Sequence, residues 1–316
     1  MSYLPYTGTS HNDEPFDYPE PNLTAVNTLK KLDAFLTLIP LIHPSTDAAP
    51  QLAWDCEGVN LGRHGSLTHI TLGIRSLNQF FCFDYHVLGR EMLDLQGKSG
   101  QSLRTLLQDP NHMHIWNDPR GDQDALKTHC GITLPADSVR DIQLLGLAVL
   151  DGGQTRDRRR GLSDAILQEG PDWMSPKVLA DWYTANRDGK AFFSQNGYGE
   201  FAKRPMNKIA WRYAIGDVTQ LFNLYDNLAP KQTGEMRDMI RGETKRSLKE
   251  VMSADWKSPQ DGSAPKCFRS LPVEPEEGWV SPAGPPAEDW EAGHMTKNGY
   301  SCRPARSSTN PYGWQC

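Results

Sequence analysis

The segment Leu52-Ala53-Trp54-Asp55-Cys56-Glu57 sets two carboxylates inside an otherwise apolar run. Successive side chains of a strand point to opposite faces, so Asp55 and Glu57 project from the same one. Burying two unpaired carboxylates in an apolar sheet costs several kcal/mol each. A strand of this composition therefore either ends in water or asks for a cation beside it.

The flanking sequence supplies a sheet for this strand. A glycine-bearing turn follows it, and residues 67–74 and 80–84 read as two further strands. Upstream, Val26, Leu29, Leu32, Phe35 and Leu36 recur at helical spacing, which predicts a helix over residues 24–40 ending near Pro40. Downstream, the pattern predicts a helix at 101–108, a strand at 112–116 and helices at 122–129 and 142–150. Three more helices are expected at 176–186, at 204–228 with Pro205 in the first turn, and at 233–252. Strands followed by alternating helices imply an α/β domain, a mixed sheet flanked by helices.

Three segments stand apart. Residues 1–23 are polar, acidic and broken by four prolines, and read as an arm without a core. Residues 152–170 hold Arg156, Arg158, Arg159 and Arg160 among glycines, which reads as a mobile basic loop. From residue 256 to 316 the composition turns to Pro, Gly, Ser and acids with isolated tryptophans at 279, 290 and 314, as in a largely disordered tail that could recruit protein partners. The domain is thus expected over residues 24–255.

Bulk composition narrows the function. A net charge of −6 disfavours a protein that merely coats nucleic acid, since such binding runs on neutralised phosphates. It leaves room for an enzyme whose carboxylates are offset by bound cations. The six cysteines show no C-x-x-C spacing and no disulfide density, so they read as free thiols. With no basic-then-apolar leader and no membrane-length apolar run, the chain is expected to be soluble and intracellular.

Two further elements carry candidate chemistry. Tyr213 and Asp217 lie four residues apart on the predicted helix and share one face. Leu221 and Leu224 extend an apolar stripe that would pack the helix on the sheet. The segment from Trp116 to Leu126 offers three acids for one role: Asp118 as a turn cap, Asp122 in the first helical turn, or Asp124 as an exposed acid.

Together these motifs resemble the DEDD superfamily of 3′-to-5′ exonucleases, with its ribonuclease H-like fold. The resemblance is to the tyrosine-bearing DEDDy branch that includes ribonuclease D, and within it to the Egalitarian and exonuclease-domain-like group. The superfamily's D-x-E matches Asp55-Cys56-Glu57, its second-motif aspartate matches Asp122, and its Y-x-x-x-D matches Tyr213 to Asp217; the Egalitarian-like group's D-x-E-G matches Asp55 to Gly58, and its D-x-R-x-D before an Ala-Leu helix matches Asp118 to Asp122 leading to Ala125-Leu126. The resemblance covers residues 50–228. Two departures stand out: Pro119 occupies a place where a less restrictive residue is usual, and Asn117 stands where many relatives carry histidine.

The resemblance implies that Asp55, Glu57, Asp122 and Asp217 ligate two divalent cations. An all-oxygen set without a His/Cys cluster suits Mg²⁺ or Mn²⁺ rather than Zn²⁺. Tyr213, with an ordinary pKa of about 10, would orient the attacking water rather than deprotonate it. The products would be nucleoside 5′-monophosphates. Substrate contacts are expected from Arg63 and His64 after the first motif, from Arg120, and from Arg158 and Arg159, which could steer the backbone of RNA or DNA. Trp182, Tyr183, Phe192 and Phe193 read as core rather than as a stacking surface. The rival reading is a noncatalytic RNA-binding adaptor on the same fold, which the presence of all four acids and the tyrosine disfavours.

Overall fold

In a computed structural model of the protein, residues 22–150, 155–257 and 262–271 are described. Six strands form one sheet: β1 (Leu23–Val26), β2 (Leu52–Glu57), β3 (His69–Ile74), β4 (Gln79–Asp84), β5 (His114–Trp116) and β6 (Val139–Asp141). Their order is β1-β4-β3-β2-β5-β6. The hairpin β3–β4 and the pair β2–β3 are antiparallel, while β1 on β4, β5 on β2 and β6 on β5 run parallel. The sheet is therefore mixed, as the sequence predicts.

Ten helices accompany it among the described residues: α1 (Leu29–Leu36), α2 (Tyr85–Leu88), α3 (Leu103–Leu107), α4 (Arg120–Ala125), α5 (Ile142–Ala148), α6 (Leu162–Glu169), α7 (Pro176–Asn196), α8 (Lys208–Thr219), α9 (Leu221–Leu228) and α10 (Gly234–Val251). The two faces of β2 divide the core between them. Leu52, Trp54 and Cys56 pack with Leu32, Phe35 and Leu106 of α1 and α3, whereas Ala53 packs with the α5 and α9 residues Leu144 and Leu224. Asp55 and Glu57 share the Ala53 face by the strand's two-residue period. They are thereby directed toward the helices from the later half of the chain.

Several boundaries differ from expectation. Residues 23–26 form an edge strand rather than the start of a helix, because Val26 is fully buried and Thr28 begins a new element as N-cap, its side chain accepting the Lys31 amide. A single helix over 204–228 is not formed. The Arg204–Pro205 bond is cis, Asn207 caps α8 by accepting the Ile209 amide at 2.8 Å, and the chain breaks again at Gln220 before α9. Pro205 thus precedes the helix instead of occupying its first turn. The helix expected to end at Asn186 continues ten residues to Asn196.

The basic segment is more ordered than its composition suggests. α6 occupies half of it, and Arg156 is 7% exposed with its guanidinium on carbonyls of Leu147 (3.2 Å) and Leu150 (2.8 Å). Those bonds satisfy carbonyls left open at the end of α5. Residues 262–271, expected in the disordered tail, bring Ala264, Phe268 and Leu271 into the cluster that holds Leu145 and Ile240. A short apolar anchor was hidden by the average polarity around it. Residues 1–21 and 272–316, with the three tail tryptophans, lie outside the described residues. No described helix is long and apolar enough to cross a membrane. The four described cysteines are free thiols, three of them buried.

Candidate active site

The carboxyl end of β2 is where the acids collect. Glu57 pairs in register with His69 and Asp55 with Thr71. The Glu57 carbonyl accepts both the amide and the hydroxyl of Thr68, at 2.7 and 2.9 Å, which fixes the strand end. Gly58 follows because nothing larger fits: a Cβ there would stand 1.8 Å from the Ser66 carbonyl oxygen, where the loop folds back.

α8 brings the second half of the site. Its apolar residues Ala210, Ala214 and Ile215 pack beside Cys82 of the sheet, and Tyr213 and Asp217 lie on the neighbouring stripe. Carboxylate oxygens of Asp55, Glu57 and Asp217 all come within 4.8 Å of one another. Burial and mutual repulsion raise the pKa of Asp55 and Glu57 well above the ordinary carboxylate range. Burial also pushes Asp217 up to about 7, with Lys190 pulling the other way.

Asp122 stands outside this three-residue group. It is 6% exposed and its Oδ1 accepts the Cys56 amide at 2.9 Å. That amide is available because β5 pairs with β2 only at Leu52 and Ala53. Its charge still raises Asp55 and Glu57, and burial lifts its own pKa to about 7. Of its two competitors, Asp118 forms a bidentate pair with Arg120, and Asp124 pairs with Arg63.

Electrostatics state what the cluster lacks. Carboxylates this close and this buried repel one another, and Asp55 Oδ2 is buried with no hydrogen-bond partner. An all-oxygen donor set with an unsatisfied buried lone pair fits a hard divalent cation. Tyr213 is half-buried, and its phenol is held firmly protonated by burial and by the nearby carboxylates. A neutral phenol at this place donates a hydrogen bond and accepts no proton.

α7 supplies residues that the sequence did not reveal. Asn186, 6% exposed, points its amide toward Asp217 Oδ1 at 3.4 Å. Gly189, one turn on, lies against the Tyr213 ring. Trp182 donates to the Gly216 carbonyl at 3.2 Å, stapling α7 to α8. The signal for them was the i, i+3, i+4 spacing of Asn186, Gly189 and Lys190, which matters only once α7 is known to face α8.

The expected substrate contacts fare differently. Arg63 has its guanidinium committed: Nε to Asp124 at 2.8 Å and the terminal nitrogens to the carbonyls of Val251, Ser253 and Ala254 at the end of α10. These bonds tie the loop after β2 to the end of α10. Arg120 is likewise held by Asp118 at 2.5 and 2.7 Å. Arg159, its side chain 4% exposed, lies among Asp118, Asp141 and Gln143, so it does not project to solvent. Arg158 is exposed and its backbone bridges to Ser263, while His64 is exposed in the turn after β2. Phe193 is core, as expected, whereas Tyr183 is 39% exposed.

Comparison with known proteins adds the family. No curated protein sequence matches the chain. Among solved structures it is similar to ribonuclease D of Trypanosoma brucei. The GMP complex gives a TM-score of 0.60 at 15% identity, covering 78% of this chain and 70% of that one. The complex with RNA U12 gives 0.57 at 15% identity, covering 78% and 77%. These likenesses establish the RNase D-like fold of the mixed sheet and its flanking helices. The family described as 3′-5′ exonuclease matches residues 41–232, which span strands β2 to β6, the acidic cluster and α8. The chain belongs to the 3′-5′ exonuclease family.

Proposed function

We propose that this chain hydrolyses nucleic-acid phosphodiesters from the 3′ end with two divalent cations, in the manner of the DEDDy branch, and releases nucleoside 5′-monophosphates. The observation that carries the reading is the convergence of Asp55, Glu57 and Asp217 within 4.8 Å, with a partnerless buried oxygen on Asp55. Asp122, whose charge raises Asp55 and Glu57, supplies the fourth carboxylate. Asp55 and Asp217 with Glu57 and Asp122 would hold Mg²⁺ or Mn²⁺. When bound, such ions lower the pKa of a coordinated water and stabilise the leaving oxygen.

The chain's own residues do the positioning. Tyr213 stays protonated, so its hydroxyl donates to and orients the water rather than taking its proton. Asn186 holds Asp217 from behind, and the Cys56 amide fixes one oxygen of Asp122. The Egalitarian-like assignment rests on the D-x-E-G sequence at Asp55–Gly58, whose glycine lets the following loop close over the strand end, and on the D-x-R-x-D sequence from Asp118 to Asp122 that leads to Ala125-Leu126. RNA is the first substrate to try, since the similar T. brucei enzyme is described with RNA U12.

The test is degradation of 5′-labelled and 3′-labelled single-stranded RNA and DNA with Mg²⁺, Mn²⁺ or EDTA, beside Asp55→Ala. A metal-dependent ladder shortening from the 3′ end, absent in the folded variant, is the expected result. Tight binding without cleavage under every metal condition would replace the proposal with the adaptor reading.

A further inference from the structure

Every N–H group of the Arg204 guanidinium has an acceptor. Nε donates to Asp84 Oδ2 at 2.6 Å, and one terminal nitrogen donates to the carbonyls of Phe201 and Lys203 at 2.9 and 2.7 Å. The other donates to Asp84 Oδ1 and, at 2.9 Å, to His69 Nε2. A planar fork of donors is what separates arginine from lysine, and this site uses the whole fork.

The acceptors lead to the acidic centre. His69 on β3 pairs across the sheet with Asp84 on β4 and with Glu57 on β2. The Thr68 hydroxyl donates its single proton to the Glu57 carbonyl at 2.9 Å, so toward His69 Nδ1, at 3.1 Å, it only accepts. Nδ1 therefore carries the imidazole proton, and Nε2 is left as the acceptor that the guanidinium requires. Burial keeps this ring neutral, its pKa lowered to about 3. An unbroken run of hydrogen bonds thus connects Arg204 through His69 and Thr68 to the backbone of Glu57.

Arg204 also stands just ahead of Asn207, the N-cap of α8. Phe201, whose carbonyl it holds, packs on Phe193 with ring centroids 4.3 Å apart, and Phe193 meets the Tyr213 ring edge-on at 5.4 Å. The apolar residues of α8 that pack beside Cys82 give contact without direction. The charge-assisted pair with Asp84 has a fixed geometry, and it ties the entry of α8 to the strand ends.

We propose that Arg204 is a positioning residue for phosphodiester cleavage, holding α8, and with it Tyr213 and Asp217, in place against the strand end that carries Glu57. The inference rests on the exonuclease reading above and gives Arg204 no contact with substrate.

The test compares Arg204→Lys and Asp84→Asn with wild type on the oligonucleotide that wild type degrades, in saturating Mg²⁺ and well below each variant's thermal midpoint. Lysine keeps the charge without the planar fork, and asparagine keeps the shape of Asp84 while turning one acceptor into a donor. Each variant should lose about tenfold to a hundredfold in kcat with KM changed less than about twofold, as displacement of positioned groups by about 1 Å implies. Asp84→Asn decides alone if Arg204→Lys does not fold. Wild-type kcat in a folded variant overturns the positioning role and leaves the exonuclease intact, and so does a raised KM at wild-type kcat, which would make Arg204 a substrate contact. A wild-type protein that degrades neither RNA nor DNA overturns both.

Discussion

Adding one methyl group at Gly189 should disable the site without unfolding the protein. A Cβ at this position of α7 would lie 2.4 Å from Tyr213 Cδ2, 2.7 Å from its Cβ and 2.9 Å from its Cγ. Ordinary carbon contacts begin at about 3.5 Å, so α7 and α8 must separate locally by about 1 Å. One of the three close atoms, the Tyr213 Cβ, is fixed to the helix whatever the rotamer, so turning the ring away leaves its 2.7 Å contact in place. Overpacking of this kind costs about 1–3 kcal/mol, offset by the roughly 1 kcal/mol that alanine gains over glycine inside a helix. A net loss of about 0–2 kcal/mol leaves a folded protein. Catalysis suffers more, because displacing a positioned group by about 1 Å costs about a hundredfold.

The assay is kcat for 3′-end degradation by Gly189→Ala beside its thermal midpoint. The same substitution in a Tyr213→Phe background should cost less, since the hydroxyl whose placement it disturbs is already gone. Wild-type kcat in Gly189→Ala would refute the assignment of Tyr213 to the water and of Gly189 to its placement.

Other outcomes follow from the same geometry. Asp122 and Asp217 titrate near 7 in the folded, metal-free protein, above the usual value near 4 in an unfolded chain. Between about pH 4 and 7 the unfolded chain therefore gives up these protons first, so metal-free stability falls as pH rises through this window and levels off above it. Mg²⁺ should accordingly raise the thermal midpoint more at pH 8 than at pH 5; equal shifts would sink this account. Asn186→Ala should weaken the apparent Mg²⁺ affinity about tenfold with kcat at saturating metal largely kept, which a metal titration of activity checks. Arg63→Ala should lower stability by about 3 kcal/mol in denaturant titration while leaving KM for oligonucleotides unchanged, because its partners are Asp124 and the end of α10. A raised KM at unchanged stability would return Arg63 to the substrate.

Much of the sheet could be seen in advance because its strands have the plainest physical signature. Residues 52–57, 67–74 and 80–84 are short runs dominated by apolar, β-branched and aromatic residues, and each forms within two residues of expectation. The elements missed were short. β6 is three residues long, and β1 is four residues joined to a helix whose periodicity absorbed Val26. Arg156 and Phe268 misled for a related reason, since an average over a polar window cannot reveal the single side chain that enters the core. Only the partners made that visible.

The acids and the arginines mark where a sequence stops being informative. A carboxylate in an apolar strand advertises its own cost, and the period of two then assigns it a face, so Asp55 and Glu57 could be paired before any fold was known. An arginine carries no such sign, because a long flexible stem makes a surface position and a buried clamp look alike in sequence. Arg63 and Arg120 therefore read as candidate substrate contacts, with no sign in the sequence of the Asp124 and Asp118 carboxylates that hold them here. Asp118 itself was visible only as a turn residue, and its positive φ of 57° is what sets Arg120 back onto it at the start of α4. The clamp and the helix that presents Asp122 are consequently one device: the turn that forms the Asp118–Arg120 pair also begins the helix that buries Asp122 against the Cys56 amide.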